Sequence, residues 1–313
     1  MAERRPRVVI AGASGAVGRA LVKQLSSVAE VVALSSRENQ SQNSEVSWLQ
    51  VDGFSIPSME IALAGAQVAV FLTKAQSSAR LTQADLTDLD VLLADTLARA
   101  APATSVKRLV MFSCGERDAR ELILRKSKLE VSVLRGGGTN PAEALAELVL
   151  ADKPKDLTLG AASIEPRDEK LKPAMDVVSV QRFSRPAGWS ASDIGYGYFS
   201  WASTLPLVRT ERFENSITLR AAGIGALKLL QNHGRSSADS CWFDVLDGAL
   251  VKPGVIGHFE FRTLLDGDAM AALIGYSPRL PWFMYRMTQA IAHRMVMKRF
   301  GILLSEQTSR PAA

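Results

Sequence analysis

The chain has 313 residues, of which 47% are hydrophobic and 22% charged. That composition excludes a disordered, collagen-like or coiled-coil protein and leaves room for about two domains. Lys plus Arg number 37 against 32 Asp plus Glu, a net +5. The basic residues are dispersed rather than pooled, so no nucleic-acid footprint is expected. Two cysteines, Cys114 and Cys241, stand far apart, too few for a disulfide framework or a thiolate zinc site. A reducing cytoplasm is therefore the expected location, and no apolar run is long enough to span a bilayer.

In chain order, short apolar runs at 7–11, 31–35, 47–51, 68–72, 108–113 and 131–135 read as strands. Between them, stretches such as 17–26 and 86–101 carry apolar residues at helical spacing. Strand and helix in alternation predict an α/β fold, a doubly wound parallel sheet (Rossmann) covered by helices. From 152 to 172 the chain turns charged and Pro-containing, as expected of a surface connection. The two parts are placed at 1–150 and 151–313. In the second part, an α+β substrate-binding part, 206–275 looks richer in antiparallel strands, notably 242–246 and 257–264, before the turn Asp266-Gly267-Asp268. A last helix is predicted from 282 to about 300. Its basic residues scatter around the axis at about 100° per residue, which favours core or lid packing over a membrane-surface role.

The run Val8-Val9-Ile10-Ala11-Gly12-Ala13-Ser14-Gly15-Ala16-Val17-Gly18 is a strand that ends in glycines and opens a helix. Gly12 can make the tight turn, Gly15 can let the main chain approach a pyrophosphate, and Gly18 can let helix pack on strand. Free N–H groups at the helix start would then face the phosphates.

This G-x-x-G-x-x-G spacing resembles the atypical and extended short-chain dehydrogenase/reductases, including the NmrA-like group of NAD(P)-binding Rossmann proteins. Further support comes from 92–101 with 106–113, similar to that family's fourth helix and fifth strand, and from 129–136, similar to its sixth strand. After the second strand, where an NAD-preferring site places a carboxylate, the chain has Ser35-Ser36-Arg37. A guanidinium suits a 2′-phosphate, so the expected cofactor is NADP(H). Glu38 as a ribose ligand is the alternative. The resemblance implies that Asp52 contacts adenine and that Leu72 and Thr73 pass beneath the cofactor. Lys74 either nears the nicotinamide or phosphates or is simply solvated. The expected cofactor-binding residues are therefore Gly12, Ser14, Gly15, Ala16, Val17, Gly18, Ser35, Ser36, Arg37, Asp52, Leu72, Thr73 and Lys74.

The family's Tyr-x-x-x-Lys pair, in which lysine lowers the tyrosine pKa for proton exchange, is absent. Tyr196, Tyr198, Tyr276 and Tyr285 are followed four places on by Ser200, Ala202, Leu280 and Gln289. Ser113 matches the serine that ends the family's fifth strand, and Tyr196 and Tyr198 are the candidate substitutes for the lost donor. The glycine run is also similar to semialdehyde dehydrogenases, whose nucleophile stands in an Asn-Cys or Pro-Gly-Cys context, whereas Asn140 here precedes Pro141. His233, His258 and His293 are isolated, so no metal is expected. From about 206 the chain weakly resembles helix-grip lipid-binding modules, in which a curved sheet wraps a terminal helix around an apolar cavity.

Together these features point to an NADP(H)-dependent reductase acting on a bulky apolar or aromatic small molecule. The alternatives are a non-catalytic NADP(H)-binding redox sensor or regulator, or a lyase, isomerase or cyclase on the same scaffold.

Overall fold

The computed structural model describes residues 5–36, 46–74, 80–81, 86–113, 118–136, 140–160, 177–254, 257–281, 284 and 287–308. The chain divides into two units, residues 1–75 with 90–169, and residues 76–89 with 170–313. The division falls some twenty residues later than the expected boundary at 150, for a physical reason. Strand β8 (Leu157–Thr158) still pairs in parallel with β7 (Glu130–Arg135), and Asp156 accepts the Val133 N–H at 3.0 Å. The charged stretch expected as a mere connection is thus, up to residue 160, the sheet's last edge.

Unit 1 is built on a seven-stranded parallel sheet in the order β3-β2-β1-β4-β6-β7-β8. These strands are β1 (Arg7–Ala11), β2 (Glu30–Ser35), β3 (Val46–Gln50), β4 (Val68–Phe71), β6 (Arg108–Ser113), β7 and β8. The central strands are apolar on both faces because helices cover both, as parallel sheets require. On one face Val8, Ile10, Val31, Ala33, Val70 and Val110 pack with Leu21 and Leu25 of α1 (Ala16–Leu25) and with Leu145 and Leu148 of α5 (Pro141–Leu150). Their neighbours in the alternation, among them Val9, Ala69 and Met111, are equally buried on the other face. The remaining helices are α2 (Ile56–Leu63), α3 (Leu86–Ala100) and α4 (Ala119–Arg125). The chain order reverses between β1 and β4, which run side by side, leaving a crevice at their carboxyl ends.

Unit 2 opens with strand β9 (Val177–Phe183) and helix α6 (Ala191–Ala202). An antiparallel meander follows: β10 (Val208–Phe213), β11 (Ser216–Ala221), β12 (Ile224–Gln231), β13 (Ser240–Asp247), β14 (Gly257–Thr263) and β15 (Ala269–Tyr276), before helix α7 (Gln289–Thr308). β9 closes onto β15, and the two-residue β5 (Arg80–Leu81) pairs in parallel with β9. The antiparallel sheet thus begins with Val177, earlier than the 206 at which antiparallel strands were expected. α6 is held at its start by a capping box, Ser190 with Asp193.

The predicted apolar cavity is not what the rings build. Tyr198 lies between Phe199, Phe259, Phe261 and Phe300 at centroid distances of 5.2–5.5 Å, so aromatic side chains fill the space between the sheet and α7. Met297, Phe300 and Leu304 bury one face of α7 in that core. The other face is exposed, which core packing alone does not account for. Residues 282, 283, 285 and 286, where the predicted helix begins, lie outside the described residues.

Candidate dinucleotide-binding site

The site grows out of the turn after β1. Gly12 adopts φ +88°, and a Cβ there would lie 2.9 Å from the backbone of Leu72 and Thr73. At Gly18 a Cβ would fall 2.3 Å from the Gly12 carbonyl oxygen. Both positions are glycine because the fold leaves no room. Gly15 differs: its φ is −70°, and an added Cβ would meet only the Gly12 oxygen at 3.4 Å. Among the described residues nothing demands glycine at 15.

Ser14, Gly15 and Ala16 are exposed and Val17 is half-buried. Gly15 is the N-cap of α1, with no side-chain cap and no acidic residue in the first turn. The leading N–H groups of α1 have no partner within the helix, and the dipole makes this end positive. Arg19, in the next turn, donates from its guanidinium to the Ser14 carbonyl and braces the loop from behind. Sequence reading missed Arg19, although it stands directly after the third glycine.

Around this cradle, Leu72 donates its N–H to the Ala11 carbonyl at 2.9 Å, and Thr73 and exposed Lys74 follow. Ser35 and Ser36 end β2, with the Ser35 carbonyl accepting from Val51 N–H at 2.9 Å. Arg37 lies outside the described residues. Asp52 is exposed, and its Oδ1 accepts the Phe54 N–H at 3.0 Å, a local turn that orients the carboxylate just before α2. Glycine turn, Leu72 and Thr73 therefore meet at the β1/β4 crevice, while Ser35, Ser36 and Asp52 stand at the ends of the next two strands, along the same sheet edge.

Ser113 is placed less simply. It is fully buried, and its Oγ donates to Asp118 Oδ2 at 3.0 Å. The Asp118 carboxylate caps α4 through the Arg120 N–H at 3.1 Å and accepts from Arg120 Nε at 2.8 Å. The Arg120 guanidinium, 2% exposed, also donates to the carbonyls of Thr73 at 2.9 Å and Phe112 at 3.3 Å. Burial pushes the Asp118 carboxyl up, but the hydrogen bonds and charge of Arg120, with the Ser113 hydroxyl, hold it below the ordinary carboxylate range. The one proton of the Ser113 hydroxyl is committed to an ionised carboxylate.

The tyrosines belong to unit 2. Tyr198 is buried among the rings of its core, and burial raises its pKa far above that of a free phenol. Tyr196 donates its hydroxyl to Gln231 Oε1, with the Arg212 guanidinium 3.9 Å over its ring. Burial raises its pKa also, with Arg212 opposing. Cys241 is buried, its thiol pushed up to about 11 by burial. Cys114 lies outside the described residues. Among the described residues no cluster has the makings of a metal site, and no helix is long and apolar enough to cross a membrane.

Residues 12–128 match the NAD(P)H-binding family. Unit 1 is an NAD(P)-binding Rossmann domain. The whole chain is also similar to a relative from Staphylococcus aureus (strain NCTC 8325 / PS 47), the auxiliary protein GraX, at 26% identity over 311 residues, covering 95% of this chain and 93% of the relative. Among solved structures, a Rossmann-fold NAD(P)-binding family protein from Shigella flexneri gives a TM-score of 0.41 at 16% identity, covering 52% of this chain and 98% of that one. Uronate dehydrogenase from Agrobacterium tumefaciens gives 0.41 at 15% identity, covering 51% and 77%. Within the Rossmann domain, the family match begins at Gly12, the first residue of the glycine turn.

Proposed function

We propose that the protein is an NADP(H)-binding oxidoreductase-type protein, with the dinucleotide's pyrophosphate on the α1 amide cradle and its 2′-phosphate beside Arg37. The carrying observation is the contrast among the three glycines. Gly12 and Gly18 are required by the fold, whereas Gly15 leaves open, electropositive backbone facing outward. Asp52 would meet the adenine side, and Leu72, Thr73 and Lys74 the nicotinamide half. The cofactor supplies hydride chemistry when bound. The protein's own residues orient it, and the substrate the sequence points to is a bulky apolar or aromatic small molecule.

A second reading is favoured by the Ser113–Asp118–Arg120 cluster. A reductase needs a proton source at the developing negative charge. Ser113 already donates to Asp118, Tyr198 is sealed in a core, and Tyr196 donates to Gln231. Reduction would then draw its proton from water or from the substrate. Otherwise the dinucleotide is bound and read as a redox signal, a role compatible with a full-length relative named as an auxiliary protein.

Calorimetric titration tests the shared core of both readings. NADPH should bind roughly tenfold to a hundredfold more tightly than NADH, the difference expected of one charge-assisted pair, with Arg37→Glu inverting the order. Equal affinities would overturn the NADP(H) assignment. Single-turnover oxidation of bound NADPH across a panel of aromatic carbonyl and enone compounds separates reductase from sensor.

A further inference from the structure

Helix α7 is apolar on two opposite faces. Ala290, Met297, Phe300 and Leu304 bury one face in the unit 2 core. On the opposite side, Met287, Ile291, Met295 and Ile302 are 73%, 51%, 54% and 49% exposed, and Met284 is 41% exposed. The hydrogen bonds Thr288 N–H to Met284 O and Ala292 N–H to Thr288 O carry the helical ladder back to Met284. At about 100° per residue Ile291, Met295 and Ile302 of α7 fall in one stripe no wider than about 60° to either side of its centre, and exposed Met284 and Met287 precede them in the chain. Isolated exposed apolar residues need no explanation, but a stripe running the length of a helix marks an interaction surface.

Charge selects the partner. Exposed Lys298 lies within the stripe, and exposed Arg299 flanks it. From Met284 to Ser305 the chain contains no Asp or Glu, and the one acid of α7 is exposed Glu306 in its last turn. A second copy of the same helix would bring cation against cation along most of its length. An anionic lipid headgroup layer offers the complement: charge for the Lys and Arg groups and, just beneath, hydrocarbon for Met and Ile. We propose that the outward face of α7 docks this protein on the surface of an anionic membrane, lying in the interface without crossing it. Lys298 and Arg299 thus sit within and beside an apolar stripe that is legible only once the buried side of the helix is known.

Sedimentation of the full-length chain with vesicles tests the proposal. The protein should pellet with vesicles of equal parts phosphatidylcholine and phosphatidylglycerol, stay in solution with phosphatidylcholine alone, and be partly released by salt. Ile291→Glu, and separately the pair Lys298→Ala with Arg299→Ala, should each weaken binding roughly tenfold or more. Because these side chains are exposed, far-UV circular dichroism and the thermal midpoint should match those of the unaltered chain. Failure to pellet with the anionic vesicles overturns the proposal, as does pelleting that is indifferent to Ile291→Glu. A dimer in analytical ultracentrifugation that Ile291→Glu disperses would assign the stripe to a second copy and equally overturn it.

Discussion

At the scale of the residue, three glycines that look alike in sequence do different work. Gly18→Ala should both loosen the fold and close the cradle, because its Cβ would collide with the Gly12 carbonyl oxygen at 2.3 Å. Gly15→Val should cost the cofactor-free protein far less thermal stability than Gly18→Ala, since the nearest atom to an added Cβ is 3.4 Å away rather than 2.3 Å. It should nevertheless abolish NADPH binding by placing a branched side chain where a pyrophosphate must lie. Paired calorimetry and thermal melts check this contrast; a Gly15→Val protein that binds NADPH normally would remove the cradle from the site. The glycine spacing was legible because tight turns and close approaches admit no other residue. The Asp118–Arg120 pair was not, since nothing in Asp-Ala-Arg says that the guanidinium will point inward beneath a sheet.

At the scale of the element, that pair ties three pieces together. Arg120 on α4 bonds the carbonyls that follow β4 and lie near the end of β6, and Asp118 caps α4 while holding Ser113. Removing one partner leaves the other charge buried, so Arg120→Leu or Asp118→Asn should each destabilise the Rossmann domain by about 3–5 kcal/mol. Urea melts of the single and double variants provide the measure, and the double variant should lose less than the sum of the two. A depressed carboxyl pKa gives stability that is complete above the unfolded value and lost as pH falls through the folded one. The contribution of Asp118 should therefore disappear only in strong acid. Ser113→Ala, which removes one donor to Asp118, should cost about 1 kcal/mol; a loss below a few tenths would show that Asp118 is satisfied without it.

At the scale of the whole molecule, the two units respond to different variables. At the site proposed in unit 1, NADPH at a hundred times its Kd should stabilise that unit by about 2.7 kcal/mol. Protons act on unit 2 through His258 and His293. Burial, aided by the charges of Arg235 and Arg262, pushes His258 down to about 3, and burial pushes His293 down to about 4. Both fold as neutral rings, so below the unfolded pKa of about 6.5 the unfolded chain binds protons that the native one refuses. Stability should thus be complete above that pH. It should fall by roughly 1.4 kcal/mol per pH unit for each histidine, until His293 titrates in the fold near 4 and His258 near 3. Denaturant midpoints followed by tryptophan fluorescence should drop between pH 7 and pH 5, and drop less in His293→Gln. An unchanged midpoint would mean that the native rings are already charged.

What the sequence determined by itself was whatever depends on near neighbours. Strands at 7–11 and 108–113, the glycine turn and the parallel order of unit 1 follow from apolar runs alternating with helices, because a parallel sheet must be covered on both faces. The missing Tyr-x-x-x-Lys pair is a spacing and was equally plain. Tertiary structure alone decided what faces what. His258, Glu260 and Arg262 alternate with Phe259 and Phe261 along β14, a pattern that reads as one buried and one wet face, yet all five are buried. Arg262 pairs with Glu260 at 2.7 Å, and His258 stacks on Trp242 at 3.7 Å. Helix α7 errs the other way, its second apolar stripe left in solvent. A residue's period tells which side of an element it occupies; only the packing of distant segments determines which sides are covered.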